Sequence, residues 1–500
     1  MATYKHGVYV IEQSTSITPP IEGTAGLQVV VGTAPINMAA DPYNVTNKPV
    51  LCHTFAEAAS EVGYSDDFSK YTICQSIDAS FRVFNVAPIV VVNVLDPTKH
   101  VKEIKSAAHT LTEGQTFILE SGEKVTGVLI DTVTVKSADE TTTYVEDKDY
   151  ITSFDSDGYV LLTILKDSAI KTTDLKITYK VIDPAAVTED DIIGGYDAVK
   201  GTNKGLECIN DIFPMFGFTP GLLLAPGWSN DANVIAAMEA KCTNINGCFS
   251  CNCLVDIGAD ETGASGATPT SAVKYSAVKV AKENLGIDSP LTVACWPLGK
   301  IGDKIYAMSA LAAARIAYTD ALNGDVPYES PSNKSMGITG ICLSDGTAVI
   351  LDPEQANVLN SYGVLTAINY NGYKCWGNNT AAYPSTTDPK DRWIAVKRMF
   401  VWWANTLILT YHQKVDSPMN FKLIESIVDS ENIRGNSFVA RGMCATARIE
   451  YISSENPVTD LLNGNIKFHI HFSPYIPAED IDFILEFDPQ AIQKALEGGN

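Results

Sequence analysis

Four cysteines, Cys242, Cys248, Cys251 and Cys253, fall within twelve residues and form the densest set of soft ligands in the chain. A structural zinc site takes four tetrahedral thiolate or imidazole ligands, usually as two Cys-x-x-Cys knuckles about 12–20 residues apart. Only one knuckle is present here. Cys251 and Cys253 also occupy i and i+2 of an apolar run, so small buried thiols are the preferred reading. His469 and His471 share the same spacing on a strand-like segment, which puts both imidazoles on one face, opposite Phe468, Ile470 and Phe472. No third ligand adjoins them, and a polar strand face is preferred to a metal site. The sequence holds no Gly-x-Ser-x-Gly elbow, phosphate-binding Gly-rich loop ending in Gly-Lys-Ser/Thr, Gly-x-Gly-x-x-Gly fingerprint or His-Glu-x-x-His helix. Neither catalytic nor metal-binding residues are assigned, and no cofactor is expected.

Charge is more informative. The 500 residues carry 59 Asp and Glu against 36 Lys and Arg, a formal net charge of −23. Such a surface repels a polyphosphate backbone, so no nucleic-acid partner is expected. Five of the seven arginines (Arg392, Arg398, Arg434, Arg441 and Arg448) nevertheless lie between 388 and 450, where nine Lys and Arg meet seven Asp and Glu. Arginine suits interfaces because its planar fork pairs with carboxylates in a bidentate way. Internal pairing with Asp416, Glu425, Asp429 or Glu431 is an equally open alternative. The most apolar stretch, Met399 to Leu409, covers half of the ~20 residues that span a bilayer, so no membrane insertion is expected. The N-terminus lacks a secretory pattern, and the eleven cysteines are read as free thiols of a protein made in the cytoplasm.

The elements that must carry these residues fall into blocks. Continuous apolar runs such as Leu27–Gly32, Pro88–Val94, Leu222–Ala225, Asn252–Ile257 and Leu291–Trp296 alternate with amphipathic segments at Phe55–Val62, Lys70–Phe84, Asp231–Lys241, Ala272–Leu285 and Asp303–Leu322. Buried strands alternating with helices predict a mostly parallel α/β layer, discontinuous over 25–98 and 190–370. Residues 99–189 interrupt it with Thr-rich, period-two stretches that predict an inserted β-sandwich or barrel. A C-terminal α+β domain, 371–478, is predicted from a long apolar helix at Asp391–Val415, helices at Asn420–Ile433 and Ser437–Ala447, and strands at Arg448–Ile452 and Ile466–Phe472. The fold class is thus mixed α/β and multidomain. Two isolated strands remain, in residues 1–24 and 479–500. Gly7–Glu12 and Ile481–Phe487 stand on proline-marked leashes, and such strands either dock on their own sheet or add to a neighbour's edge.

These segments also resemble a known family. Tyr4-Lys-His-Gly-Val-Tyr-Val-Ile-Glu12, Pro20-Ile-Glu-Gly-Thr24 and Val31-Gly-Thr-Ala-Pro35 are similar to the N-terminal pattern of the tail sheath proteins of contractile bacteriophages and related contractile injection particles. Leu223-Leu-Ala-Pro-Gly227, Tyr328-Glu-Ser-Pro-Ser-Asn-Lys334, the stretch Leu359–Gly377, Arg392–Arg398, Leu461–Phe472 and Pro477–Asp488 follow in the family's order. The resemblance implies a structural subunit, not an enzyme, that forms stacked hexameric rings around a tail tube and contracts to drive the tube through a target envelope. It implies as partners the chain itself, the tube protein, and baseplate and tail terminator proteins, in a virion assembled in the host cytoplasm. It further implies that arms pass between subunits: Gly7, Val8, Tyr9, Val10 and Ile11 from the N-terminus, and Ile481, Phe483, Ile484, Leu485 and Phe487 from the C-terminus. The expected acceptor sheet holds Ile449, Tyr451, Phe468, Ile470 and Phe472. Arg434, Arg441, Glu455 and Asp460 are the candidates to face the tube, and the insertion is expected to face outward. The competing reading is a cytosolic α/β enzyme with its site in residues 190–370.

Overall fold

The computed structural model describes residues 21–22, 24–155 and 157–497. The chain is a mixed α+β protein with several sheets, partitioned into two compact units, residues 1–424 and 425–500.

The first unit is built on an eight-stranded sheet: β1 (Gln28–Gly32), β2 (Pro49–Cys52), β3 (Ile89–Asn93), β4 (Leu222–Leu224), β5 (Asn252–Asp256), β6 (Thr292–Cys295), β7 (Val364–Asn369) and β8 (Tyr373–Trp376). The spatial order is β8-β7-β6-β5-β4-β1-β3-β2, with six parallel central strands and antiparallel edges at β2 and β8. β1, β3 and β5 are buried along their whole length, which is why they read as unbroken apolar runs rather than alternating ones. After β1 the Gly-Thr-Ala motif packs closely against Lys70, Thr72 and Asn93. A Cβ on Gly32 would lie 2.4 Å from Thr72 Oγ1. Thr33 Oγ1 donates to the Lys70 carbonyl at 2.7 Å, and the buried Asn93 amide pairs with both the N–H and C=O of Ala34 at 3.1 Å.

Helix Met308–Leu322 is buried over most of its length against this sheet. Its Asp320 is 1% exposed and forms a bidentate ion pair with Arg398, which is 3% exposed and also donates to the Ala25 carbonyl. Asp325 accepts from the N–H groups of Thr24 and Ala25. The chain is therefore anchored at residue 24, and the expected arm residues 7–11 lie outside the described residues. Removing one partner of a buried ion pair costs roughly 3–5 kcal/mol, so this link is a strong local determinant of the fold.

Residues 101–182 form two three-stranded antiparallel sheets, centred on strands Asp174–Ile182 and Val160–Ile164. They share a core of Ile118, Val135, Tyr150, Leu162, Ile177 and Tyr179 that is separate from the core under the main sheet. The register pairs Val101 with Ile182, so the entry and exit of this segment lie side by side.

Several expected boundaries are corrected. Residues 371–424, grouped by sequence with the C-terminal domain, pack in the first unit, because Arg398 pairs with Asp320 and the Asn405 amide bonds the backbone of Ser250. The helix expected from Asp303 begins only at Met308. Before it, Leu298–Ile301 and Lys304–Tyr306 form a hairpin about Gly302, whose φ of +60° suits a tight turn. The single helix expected over Asp391–Val415 breaks at Trp393, where φ and ψ are extended, giving Pro389–Arg392 and Ile394–Tyr411. Helix Lys70–Phe84 shortens to Ile73–Asp78 followed by a π turn, and the helix expected from Ala272 starts at Val278.

The insertion carries a pH-dependent contact. His109 is 2% exposed; its Nδ1–H donates to the Ala107 carbonyl at 3.0 Å and its Nε2 accepts from the Leu119 N–H at 2.8 Å. This arrangement needs the neutral imidazole, and burial holds its pKa below the ordinary value of 6.5. The unfolded chain therefore takes up the proton first, and the stability this contact supplies is present above pH 6.5 and lost as pH falls below it. Hydrogen exchange, corrected for intrinsic rates, is expected to show faster opening around Leu119 at pH 5.5 than at pH 7.5. His109→Gln, which retains one donor and one acceptor, should flatten that dependence.

Candidate assembly site

The second unit holds the residues that the sequence singles out for assembly. Helix Phe421–Ala440 runs on to Ala440, where a second helix had been expected over Ser437–Ala447. Gly442, at φ +73°, ends the helical path, and the chain enters strand Cys444–Glu450. That strand pairs antiparallel with His469–Pro474, in the register Ala447–Phe472, Arg448–His471, Ile449–Ile470 and Glu450–His469. The strands begin three to four residues away from their expected starts, Arg448 and Ile466, and side chains hold the backbone within the first and just before the second.

Two asparagines do this holding. Asn432 accepts from the Ile449 N–H and donates to the Ile449 C=O, both at 3.0 Å, as a neighbouring strand would. Asn456 accepts from the Lys467 N–H at 2.7 Å and donates to the carbonyls of Lys467 and Ile452, bridging the sheet just beyond its last pair. The helix comes so close to the strand that a Cβ on Gly435 would lie 1.9 Å from the Ala447 carbonyl oxygen. Sequence reasoning passed over Asn432, Gly435 and Asn456. For Asn432 and Gly435 the signal was a polar residue and a glycine within an otherwise amphipathic helix; Asn456, in a loop, left none.

The pleat places Ile449, Tyr451, Phe468, Ile470 and Phe472 on one face of the sheet. Ile449 is 3% exposed and Ala447 6%, whereas Ile470 and Phe468 are only half-buried. Tyr451 and Phe468 meet edge to face at 6.2 Å. The opposite face is polar. His469 and His471 stack at 5.3 Å and pair with Glu455 at 3.1 Å and Glu450 at 2.9 Å. Glu450 also pairs with Arg448, and together the His471 hydrogen bond and Arg448 hold its pKa below the usual carboxylate range.

The tube-facing candidates separate. Arg434 is mostly covered and pairs with Glu431, which is 2% exposed, one helical turn earlier in the helix. Arg441 is exposed, with its guanidinium 4.4 Å from the Phe438 ring centre. Glu455 is exposed beside His469, and Asp460 pairs with Lys467 at 3.3 Å.

Beyond Pro474 the chain runs through Asp488 with neither helix nor strand pairing, followed by helix Pro489–Leu496, which the sequence reading missed. Asp488 caps that helix by accepting from Gln490 and Ala491. Ile481, Phe483, Ile484, Leu485 and Phe487 are 66–96% exposed. Fully burying a side chain of this kind is worth about 1.5–3 kcal/mol, so five of them left in water represent a large unused association energy.

Elsewhere, a cavity of about 650 Å³ opens beyond the carboxyl ends of β4 and β5, lined among others by Asp66, Gln75, Gly227, Asp256, Asp260 and Lys304. It lies where an α/β enzyme would bind a ligand. The Asp256 carboxylate is committed to the fold, accepting from the N–H and hydroxyl of Ser309 and from the Ser229 hydroxyl. Cys242, Cys251 and Cys253 are buried and Cys248 is exposed. Hydrogen bonds to Cys251 and Cys253, together with burial, raise the Cys242 thiol well above its ordinary pKa. Among the described residues no group of three His, Cys, Asp or Glu is placed to hold a metal, and no helix is long and apolar enough to cross a membrane.

No protein-family model matches the chain. Solved structures with this fold come from contractile injection machines. The whole chain overlays a chain of the anti-feeding prophage baseplate with a TM-score of 0.56 at 14% identity, covering 97% of this chain and 100% of the other. It overlays a chain of the contracted sheath complex of the PVC extracellular contractile injection system with a TM-score of 0.55 at 13% identity, covering 98% and 99%. In sequence, the chain is similar to phage tail sheath proteins. It is 26% identical, in an alignment 512 positions long that covers 100% of this chain and 100% of the other, to the tail sheath protein of Burkholderia phage BcepMu. It is 24% identical over 303 residues to that of Escherichia phage P2, covering 59% of this chain and 70% of the other.

The two arginines make a testable contrast. Arg434→Glu sets a like charge against buried Glu431 and should lower the stability of the unassembled chain by about 3 kcal/mol. Arg441→Glu, at an exposed site, should leave the melting temperature within the ±0.5 kcal/mol range typical of surface changes. Calorimetry of the two variants checks both.

Proposed function

We propose that this chain is a structural subunit of a contractile tail sheath, polymerising as stacked hexameric rings around a tail tube and contracting to drive that tube through a target envelope. The observation that carries the reading is the end-to-end alignment with a phage tail sheath protein, covering 100% of both chains. The chain works without catalytic chemistry. Its free energy resides in contacts between copies, which exchange between two packings. The virion or a virion-like particle is its site of action, assembled in the host cytoplasm, with the tube, baseplate and tail terminator proteins as partners.

Arms shared between copies would hold such an assembly together. The support for this is the exposed, unpaired segment Ile481–Phe487 and a two-stranded acceptor sheet, a size that is marginal in water by itself. Main-chain pairing tolerates rotation of the attached body while side-chain contacts change, which suits a tether. Arg441, Glu455 and Asp460 remain tube-facing candidates, since weak polar contacts let one surface slide over another. Arg434 is a poorer candidate because it is engaged within its own helix. The insertion is read as an outward decoration, supported by its separate core and adjacent ends.

Electron microscopy of the purified chain should show hollow cylinders. A chain truncated after Ala478 should fold, as judged by circular dichroism, yet form none. Cylinders of normal length from the truncated chain would defeat the arm reading. Replacing residues 101–182 by a short Gly-Ser linker should preserve cylinders, with some lost stability because Leu129 and Ile182 pack into the main core.

A further inference from the structure

We propose that the cavity beyond the carboxyl ends of β4 and β5 is a binding site for a small organic cation, an alkylammonium that also carries a neutral hydrogen-bond acceptor. Asp256, Asp260 and Asp303 supply the field for the ammonium, and the Gln75 amide donates to the acceptor. The site binds and does no chemistry.

The topology of the sheet creates the opening. The chain builds β2 and β3 on one side of β1 and then returns to the other side at β4, so the connections beyond β1 and β4 diverge. Such a switch point leaves a crevice at the carboxyl ends of the strands, where open α/β sheets take their ligands. The cavity of about 650 Å³ falls within the ~300–1,000 Å³ usual for small-molecule sites. Phe68, Ile257, Leu298 and Ile305 give it apolar walls.

Its charges do not balance. Lys304 is the one cation among the described lining residues, and it is drawn aside to Asp66 at 2.7 Å and Asp78 at 3.7 Å. Asp256 is 6% exposed, and the hydrogen bonds it accepts from Ser309 and Ser229 come from neutral donors. Asp260 accepts from the Gly263 N–H at 2.6 Å and the Ser271 hydroxyl at 2.7 Å, again both neutral. Among the described residues, neither of these carboxylates nor Asp303 at the hairpin turn has a Lys or Arg partner. Hydrogen bonds satisfy the lone pairs of a carboxylate without cancelling its charge, and apolar walls limit screening by water. Burial accordingly raises the Asp256 pKa above its ordinary value.

Gln75 adds an observation of a different kind. It is 4% exposed, its Oε1 accepts from the Ala307 N–H at 2.6 Å, and among the described residues nothing accepts from its Nε2. With Oε1 turned to Ala307, Nε2 is the polar atom that Gln75 leaves for the cavity. A nearly buried amide N–H is costly to leave without an acceptor, so a ligand that brings one gains at this point. The ligand therefore needs a carbonyl or hydroxyl oxygen as well as a positive charge, with an apolar stretch between them to lie along the walls. A metal ion fits less well, because among the described residues no three His, Cys, Asp or Glu groups are placed to hold one. Carboxylates spread around a wall suit an extended organic cation.

Isothermal titration of the unassembled full chain with N-acetylputrescine and its shorter and longer homologues tests the site. Each probe joins an ammonium, a methylene chain and an amide oxygen. At least one should bind saturably, and N-butylacetamide, which lacks the charge, should not. Equal binding of the uncharged probe, or no saturable binding by any of the series, overturns the proposal. n-Butylamine lacks the acceptor and should bind about tenfold more weakly than the best of the series. Gln75→Glu keeps an oxygen for the Ala307 N–H and removes the donor, so it should erase that difference; an undiminished difference overturns the role of Gln75.

Location is checked separately, since a chain of net charge −23 attracts amines at many points. Asp303→Asn lies at an exposed turn, and Asp260→Asn keeps an oxygen for the Gly263 N–H. Combined, they should weaken binding about tenfold with the melting temperature unchanged. Ser344→Trp, at an exposed lining position, should close the cavity by bulk and abolish binding in a folded chain. Binding that is indifferent to both the paired Asn variant and Ser344→Trp lies elsewhere on the surface and overturns the assignment.

Discussion

A main-chain N–H or C=O removed from water must find another partner, and the two compact units meet this demand in opposite ways. In the first unit, six parallel strands lie between antiparallel edge strands and the ladder closes within one chain. Where the ladder ends, side chains take over, as Asn93 does for Ala34 and Asp325 for residues 24 and 25. In the second unit, two strands share one ladder and Asn432 stands in for a third. A remaining edge and an unpaired apolar segment are then present in the same chain. A subunit with this distribution is complete as a fold and incomplete as a surface.

That division suits a sheath. A body that must keep its shape while an assembly changes its packing benefits from buried charged groups that are committed internally, such as Asp256 between two serines and Arg398 on Asp320. A joint that must persist through rotation benefits from main-chain pairing, which depends little on side-chain identity. Exposed apolar side chains such as Phe483 and Leu485 are where burial energy remains to be gained on association.

The arginine cluster shows how one compositional feature divides in three dimensions. Arg398 serves the buried core of the first unit, Arg434 neutralises buried Glu431 within a helix, and Arg441 reaches the surface over Phe438. The same residue type at similar sequence positions thus has structural roles at two sites and an exposed one at the third. Sequence placed both readings, interface and internal pairing, on equal terms, because a guanidinium's partner is set by what folding brings within about 4 Å and not by its neighbours along the chain.

What the sequence by itself determined is what period and order can encode. Unbroken apolar runs reported β1, β3 and β5, alternation reported the insertion, and the order of short motifs reported the sheath resemblance, since each of these depends only on local spacing. The shared face of Phe468, Ile470 and Phe472, opposite His469 and His471, was legible for the same reason. Tertiary structure alone decided where helices stop, as at Trp393 and Gly442, and that residues 371–424 pack with the first unit. It alone revealed Asn432, Gly435 and Asn456, whose partners lie 17, 12 and 11 residues away. A hydrogen bond to a distant backbone group leaves no periodic trace, and a glycine required by close approach looks like any other glycine until the approaching carbonyl is known.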